Sequence, residues 1–331
     1  MGIVGKKDNT GKFKTYLIKP FLSLNKNPIL FKGRNFHLVY FGLFMAFSIF
    51  ISNTLLLFYL NSKGIQFTHH PIVPLGIMLF SMFFFTKFFH IFVVGLDYFR
   101  KPLYYLNQTA MYNQGGLVGT GIGAILVLSL ENLNPIIYLD ALAFCSTLAL
   151  FVGRLACYNY GCCSGQPTES KFHVKYSNPN SKILRIHPEL KDVPLHPTQL
   201  VAALFNLFLF IAAILFSRFF SIDGVIFVSF LISYNLFRYI TQQKRVTAGI
   251  RIISRTALLF LFVGLCILVV SIIFREQFYT QTPFIKLLTL KNFFSDILLN
   301  GEYMLTSGIS AILAFIFYGL HGRKLGQYFG G

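Results

Sequence analysis

Tryptophan is absent from this chain, and acidic residues are scarce, with Asp and Glu together numbering 11 in 331 residues. Charged residues of both signs reach only 12%, against 55% hydrophobic residues and 40 phenylalanines. Soluble domains carry about 25% charged residues, so this composition excludes an ordinary soluble core. Paired CxxC spacing is missing, which argues against the common structural zinc pattern. The first 37 residues are polar and basic with no apolar stretch near the start, so no cleavable signal peptide is expected. No internal repeat and no low-complexity tract is visible.

What is present is long apolar runs. Mean hydropathy is +0.62. Eight candidate spans of roughly 17–24 residues fall at about 38–60, 73–95, 115–131, 135–153, 196–219, 224–241, 256–274 and 303–320. The third and fourth, joined tightly through Glu131-Asn132-Leu133-Asn134, read as a helical hairpin. The expected fold is all-α, a polytopic membrane helix bundle of about seven or eight transmembrane helices. Its parts are a basic N-terminal tail (1–37), a membrane core (38–274), and a loop with one additional C-terminal membrane helix (275–331).

The net charge is +18, and 22 of the 29 Lys and Arg residues fall on one side of an eight-span topology, against 5 on the other. The positive-inside rule would place that side, with both termini, in the cytoplasm. A basic face that handles phosphates would override the rule, and the sequence leaves both readings open. The basic loops lie between membrane spans, so anionic lipid headgroups are the expected partner and nucleic acid is not.

Polar residues where apolar ones are expected carry the chemistry. The stretch Gly153 to Thr168 follows an apolar run and holds Arg154, Cys157, Cys162, Cys163 and three glycines, among them Gly165. Arginine at such depth is costly and marks function. Asp140 lies 14 residues before Arg154, about 21 Å along a regular helix, so each needs its own partner. Tyr234, Arg238, Gln242 and Arg245 share one helical stripe about 80° wide; Arg245 could equally snorkel at the interface. His196, Gln199 and Asn206 also share a face behind Pro197, a helix-start proline. Lys87 and His90, a turn apart, read as an interhelical polar pair. Five glycines between Gly115 and Gly123 permit close helix packing or approach of a lipid headgroup. They are not a nucleotide-binding loop, since no strand precedes them and the lysine is missing. Cys145 and Cys266, inside apolar spans, read as packing. Cys157, Cys162 and Cys163 could bind metal with His173, His187 or His196, could form a disulfide, or could line a polar cavity as free thiols. The spacing favours free thiols and no metal, with Arg154 beside them to stabilise a thiolate.

Deep arginines facing one cavity suit a phosphate, which Arg binds bidentately while staying charged. In a membrane that means a phospholipid or a polyprenyl phosphate. These motifs resemble the prolipoprotein diacylglyceryl transferase family. Gly153 to Thr168 resembles its signature, and Asp140 its preceding acidic residue. His196-Pro197-Thr198-Gln199 is similar to its His-Pro-Ser-Gln segment, and Tyr234 to Arg245 to its Tyr-Gly-x-x-Arg helix. Gly115-Gly116-Leu117 resembles its glycine-rich third span, and Phe41-Gly42, beside Tyr40, faintly its early Tyr-Gly pair. The resemblance covers about residues 36–270. Departures are Gln114 where the family has His, Cys157 for Asn, Cys162 for Glu and Gln242 for Glu. Val201-Ala202 replaces Tyr-Glu, and Val246-Thr247-Ala248 replaces Glu-Pro-Asp.

The resemblance implies transfer of diacylglycerol from phosphatidylglycerol to a prolipoprotein cysteine thiol, releasing glycerol phosphate, without a cofactor, in the bacterial inner membrane. It implies Arg154, Arg238 and His196 as catalytic residues. Asp140, Gln114, Gly115, Gly116, Tyr234, Gln199, Arg245, Gly165, Cys157 and Cys162 would bind substrate. Two alternatives stay open: transfer of a different lipid or headgroup unit, and a non-catalytic lipid-binding membrane protein that keeps the arginines without the acid–base groups.

Overall fold

The structure, a computed structural model, describes residues 27–102, 113–219, 222–246, 250–273 and 300–322. Eight long helices occur in it: α1 (Tyr40–Ser62), α2 (Ile72–Val94), α3 (Asn113–Glu131), α4 (Pro135–Tyr160), α5 (Thr198–Phe219), α6 (Val225–Gln242), α7 (Ile250–Ile273) and α8 (Gly301–Gly319). Each overlaps one apolar segment expected from the sequence. Five of them (α1, α2, α4, α5 and α8) are long and apolar enough to cross a membrane by length and composition. With their apolar faces exposed, as at Phe80, Phe92, Leu204 and Ile312, they make a multi-pass membrane bundle.

The helix ends follow local chemistry. Asn134 caps α4 by accepting from the backbone N–H groups of Ile136 (3.0 Å) and Ile137 (3.5 Å), and Pro135 occupies the first turn. Asn300 caps α8 in the same way through Glu302 and Tyr303. The turn between α3 and α4 is tight, as expected. The two helices nevertheless lean on different neighbours, α3 on α2 and α4 on α1 and α5.

Glycines set the packing distances. A Cβ on Gly115 would lie 2.3 Å from the Phe85 carbonyl oxygen, and one on Gly119 2.4 Å from that of Ser81. The glycine-rich third span therefore serves to seat α3 on α2, and Gly115 and Gly116 face that contact, with Thr86 Oγ1 3.1 Å from a Cβ placed on Gly116. On the other flank Gly42 of α1 meets Gly319 of α8, where a Cβ would come within 2.2 Å of the Gly319 Cα.

The bundle is not purely helical. Strands β1 (Ile29–Lys32), β2 (Phe36–Val39) and β3 (Leu320–Gly322) form an antiparallel sheet in that order, with Phe36 opposite Gly322 and Leu38 opposite Leu320. The sheet ties the start of α1 to the end of α8. It also sits against the end of α4, where Tyr160 Oη lies 3.3 Å from His321 Nε2 and Asn159 Nδ2 donates to the Asn27 carbonyl at 3.1 Å.

Candidate active site

Helix α4 runs beyond the expected end at 153 to Tyr160, so Arg154 and Cys157 are helical residues. Its apolar run ends earlier, but the last turns are enclosed by protein, and Arg154 is buried with them. Gly161 stops the helix in the left-handed conformation, at φ 77°. The chain then folds back as a loop carrying Cys162, Cys163, Ser164 and Gly165, all buried.

Three other segments hold that loop. From α5, the Thr198 hydroxyl donates to the Cys163 carbonyl (2.8 Å), while Gln199 Nε2 donates to the Cys162 carbonyl (2.8 Å) and to the Ser164 (3.1 Å) and Tyr176 (3.2 Å) hydroxyls. From beyond α6, Val246 N donates to the Ser164 carbonyl (2.9 Å) and Gln166 N to the Lys244 carbonyl (2.9 Å). From the 166–196 loop, His196 N donates to the Gln166 carbonyl at 3.0 Å. A Cβ on Gly165 would meet the His196 carbonyl oxygen at 2.4 Å, so only glycine lets the two strands approach this closely.

Arg154, Arg238 and Arg245 converge on this loop, all of them 5% exposed or less. Arg154 Nη2 donates to the Tyr234 hydroxyl at 3.4 Å, and its Nη1 approaches Cys163 Sγ at 4.0 Å. Arg238, on α6, lies within electrostatic reach of Arg245, Arg154, Tyr234 and Cys163. Arg245 follows α6 but pairs its backbone with Gly165, which draws its side chain inward. Among the described residues no carboxylate pairs with any of the three. Among the described residues, the Nε and Nη1 atoms of both Arg238 and Arg245 are buried with no hydrogen-bond partner. Burial pushes the Arg245 pKa down, and Cys163 partly counters this. Hydrogen bonds from the Cys157 and Cys162 thiols, with Arg245 and Arg154 alongside, hold the Cys163 thiol well below the usual range.

The structure brings together Arg154, Arg238, Arg245, Tyr234, Gln199, Gly165, Cys157, Cys162 and the backbone of His196. His196 is half-buried, and no hydrogen bond reaches its ring among the described residues. Asp140 stands apart from this group. Its carboxylate caps α6, accepting from Gly224 N (2.6 Å) and Phe227 N (2.8 Å), near the Lys63–Asp223 ion pair. Gly115 and Gly116 are engaged with α2. Gln114 lies at the start of α3, and its side chain is outside the described residues. Three residues the motifs did not single out belong to the site wall: Ser164, Tyr176 and Lys182. Lys182 is buried, which lowers its pKa, and the Cys162 and Cys163 sulfurs oppose that shift. Ser164 and Tyr176 sit in a loop of mixed composition and Lys182 opens the short helix Lys182–Ile186 within it, so only folding shows what they face.

The arrangement is a buried cluster of cationic hydrogen-bond donors at one end of a membrane bundle, a donor set whose chemistry suits a phosphate group. Residues 28–273 match the family model for prolipoprotein diacylglyceryl transferase. Three phosphatidylglycerol–prolipoprotein diacylglyceryl transferases are among the similar proteins. That of Clostridium tetani is 29% identical over 131 residues, 40% of this chain and 50% of that relative. That of Dehalococcoides mccartyi is 24% identical over 216 residues, 65% of this chain and 80% of the relative. That of Clostridium novyi is 23% identical over 263 residues, 77% of this chain and 100% of the relative.

Proposed function

The chain belongs to the prolipoprotein diacylglyceryl transferase family, a family of membrane transferases, and from that membership we propose that it moves a diacylglyceryl unit from phosphatidylglycerol to a cysteine thiol. The observation that carries this reading is the set of buried, unpartnered guanidinium N–H groups on Arg238 and Arg245 beside Arg154. A buried N–H without a partner costs about 1–3 kcal/mol, so these groups are kept for an anion that arrives with the substrate. Arg154, Arg238 and Arg245 hold the lipid phosphate. The acceptor thiolate attacks the diacylglycerol carbon that bears the phosphate. A C–S bond forms, the C–O bond breaks, and glycerol phosphate leaves with its developing charge stabilised by the same arginines. A thiol has an unperturbed pKa near 8.5 and is lowered further by cations, so its proton needs only a modest base. His196 is assigned that role. Gln199 and Gly165 hold the loop against which the arginines pack, and Tyr234 orients Arg154.

The acceptor is a prolipoprotein, and the protein works in the bacterial inner membrane without a cofactor. Gln242 and Cys162 stand where the family resemblance expects carboxylates, so the charge-stabilising arginines bear most of the catalysis. The test is release of glycerol phosphate from labelled phosphatidylglycerol by purified protein with a lipobox peptide. Arg154→Ala and Arg238→Ala should each lower turnover by at least about a hundredfold, with Lys recovering only part, because an ammonium cannot bind phosphate bidentately. Lipid binding without release in the wild-type protein would instead favour a non-catalytic lipid carrier.

A further inference from the structure

Cys157, Cys162 and Cys163 are all free thiols, and their Sγ atoms lie within 4.8 Å of one another. Cys157 stands in the last turn of α4, and the left-handed Gly161 turns the chain so that the next two cysteines return beside it. Cys163 itself holds φ 56°, a conformation that a residue with a Cβ adopts only when its surroundings impose it. Chain spacing favours plain thiols, because it lacks the paired zinc pattern; the convergence of three sulfurs in space points elsewhere.

We propose that these three thiols form a binding site for a thiophilic metal ion of low coordination number, with monovalent copper as its type. A metal–sulfur distance of about 2.3 Å sets three sulfurs in a trigonal plane about 4 Å apart, so the trio needs to close by less than about 1 Å. The ligand group contains no His, Asp or Glu among the described residues. Zinc in structural sites takes four ligands, one more than this trio supplies, whereas soft thiolates also suit monovalent copper, which accepts fewer. Charge acts in the same direction. Each ion binds three thiolates; the thiol protons still present leave to solvent, with no change in oxidation state. The filled site then carries a charge of minus two with a monovalent ion and minus one with a divalent ion. Arg154, Arg245 and Lys182 lie within electrostatic reach of these sulfurs, so the more negative filled site is favoured. Arg154 Nη1, 4.0 Å from Cys163 Sγ, supplies an outer N–H donor to the thiolate.

The experiment uses the full chain, reduced and detergent-solubilised, titrated with Cu(I) against a chromophoric chelator without oxygen. One Cu(I) per chain is expected for the wild type and for C145S/C266S. C157S, C162S and C163S should each weaken binding by at least about tenfold, no less than loss of an outer partner does. The wild type gives a second readout that does not depend on variants folding. Cu(I) should shield Cys157, Cys162 and Cys163 from alkylation and leave the exposed Cys266 reactive, as read by peptide mass spectrometry. Absence of shielding, shielding of a different set of cysteines, or tighter binding of Zn(II) than of Cu(I) would each overturn the assignment.

Discussion

Arg238 carries a conflict between folding and function. The residue is 2% exposed, and two of its guanidinium nitrogens have no hydrogen-bond partner among the described residues. Replacing a poorly compensated buried charge with an apolar side chain of similar volume is often neutral or stabilising. Arg238→Met should therefore raise the thermal midpoint, or leave it unchanged, while abolishing glycerol phosphate release. A variant that loses stability and activity together would show that the arginine is structural. Asp140 makes the opposite case. Its two oxygens accept the first backbone N–H groups of α6, so Asp140→Asn turns one acceptor into a donor facing a donor. The expected cost is about 1–3 kcal/mol of stability, seen as a lowered thermal midpoint. In membranes at permissive temperature, phospholipid affinity should stay unchanged, because Asp140 does not approach the arginines. The cost of a charge in an apolar span marks both residues in the sequence, and the 14-residue offset between Asp140 and Arg154 already denies that pair a direct contact. Sequence alone could not tell a helix cap from a ligand contact, because the cap's partners, Gly224 and Phe227, lie more than 80 residues away along the chain.

At the scale of elements, the long helices were legible because each carries its own hydropathy signal. Those of α1 to α8 are local properties of 18 to 26 residues. The three-stranded sheet was not legible. Its central strand is four residues long, and it pairs with residues near 320, a match that local sequence does not encode. The end of α4 was misplaced at 153 for a related reason: Arg154 reads as an interface residue until the partners that bury it are known. The α1–α8 contact gives a test specific to one pair of elements. Gly42→Ala forces a Cβ against the Gly319 backbone, whereas Gly308, also on α8, has nothing within 4 Å of its Cβ position. In a helix Ala is intrinsically preferred over Gly by about 1 kcal/mol. Gly308→Ala should thus be neutral or stabilising, and Gly42→Ala should lower the thermal midpoint despite the same gain in propensity. Equal behaviour of the two would mean that α8 does not dock on α1 in the membrane.

The whole molecule places its chemistry on one face. The sheet joins the segment before α1 to the segment after α8, and Tyr160 and Asn159 at the end of α4 touch both. The arginine cluster lies at that same end of α4, packed against the 161–196 loop and the residues after α6. Strand pairing of β2 with β3 puts the start of α1 and the end of α8 on one side, and in the eight-span topology expected from the sequence most basic residues would fall on that side as well. Repulsion among so many cations is tolerable where anionic headgroups neutralise them, at about 1 kcal/mol per Lys or Arg near the surface. The buried arginines would draw on the same leaflet for their phosphate. The arrangement predicts a labelling pattern independent of activity. Single cysteines placed in a background lacking reactive thiols at Arg34, Lys191 and His321 should be labelled by a membrane-impermeant maleimide from one side of sealed vesicles. Cysteines at His70 and Leu133, in the turns at the opposite ends of the helices, should be labelled only from the other side. Labelling of Lys191 and His321 from different sides would break the link between the sheet and the arginine cluster, because Tyr160 at the end of α4 meets both His321 and Arg185 of the loop that carries Lys191.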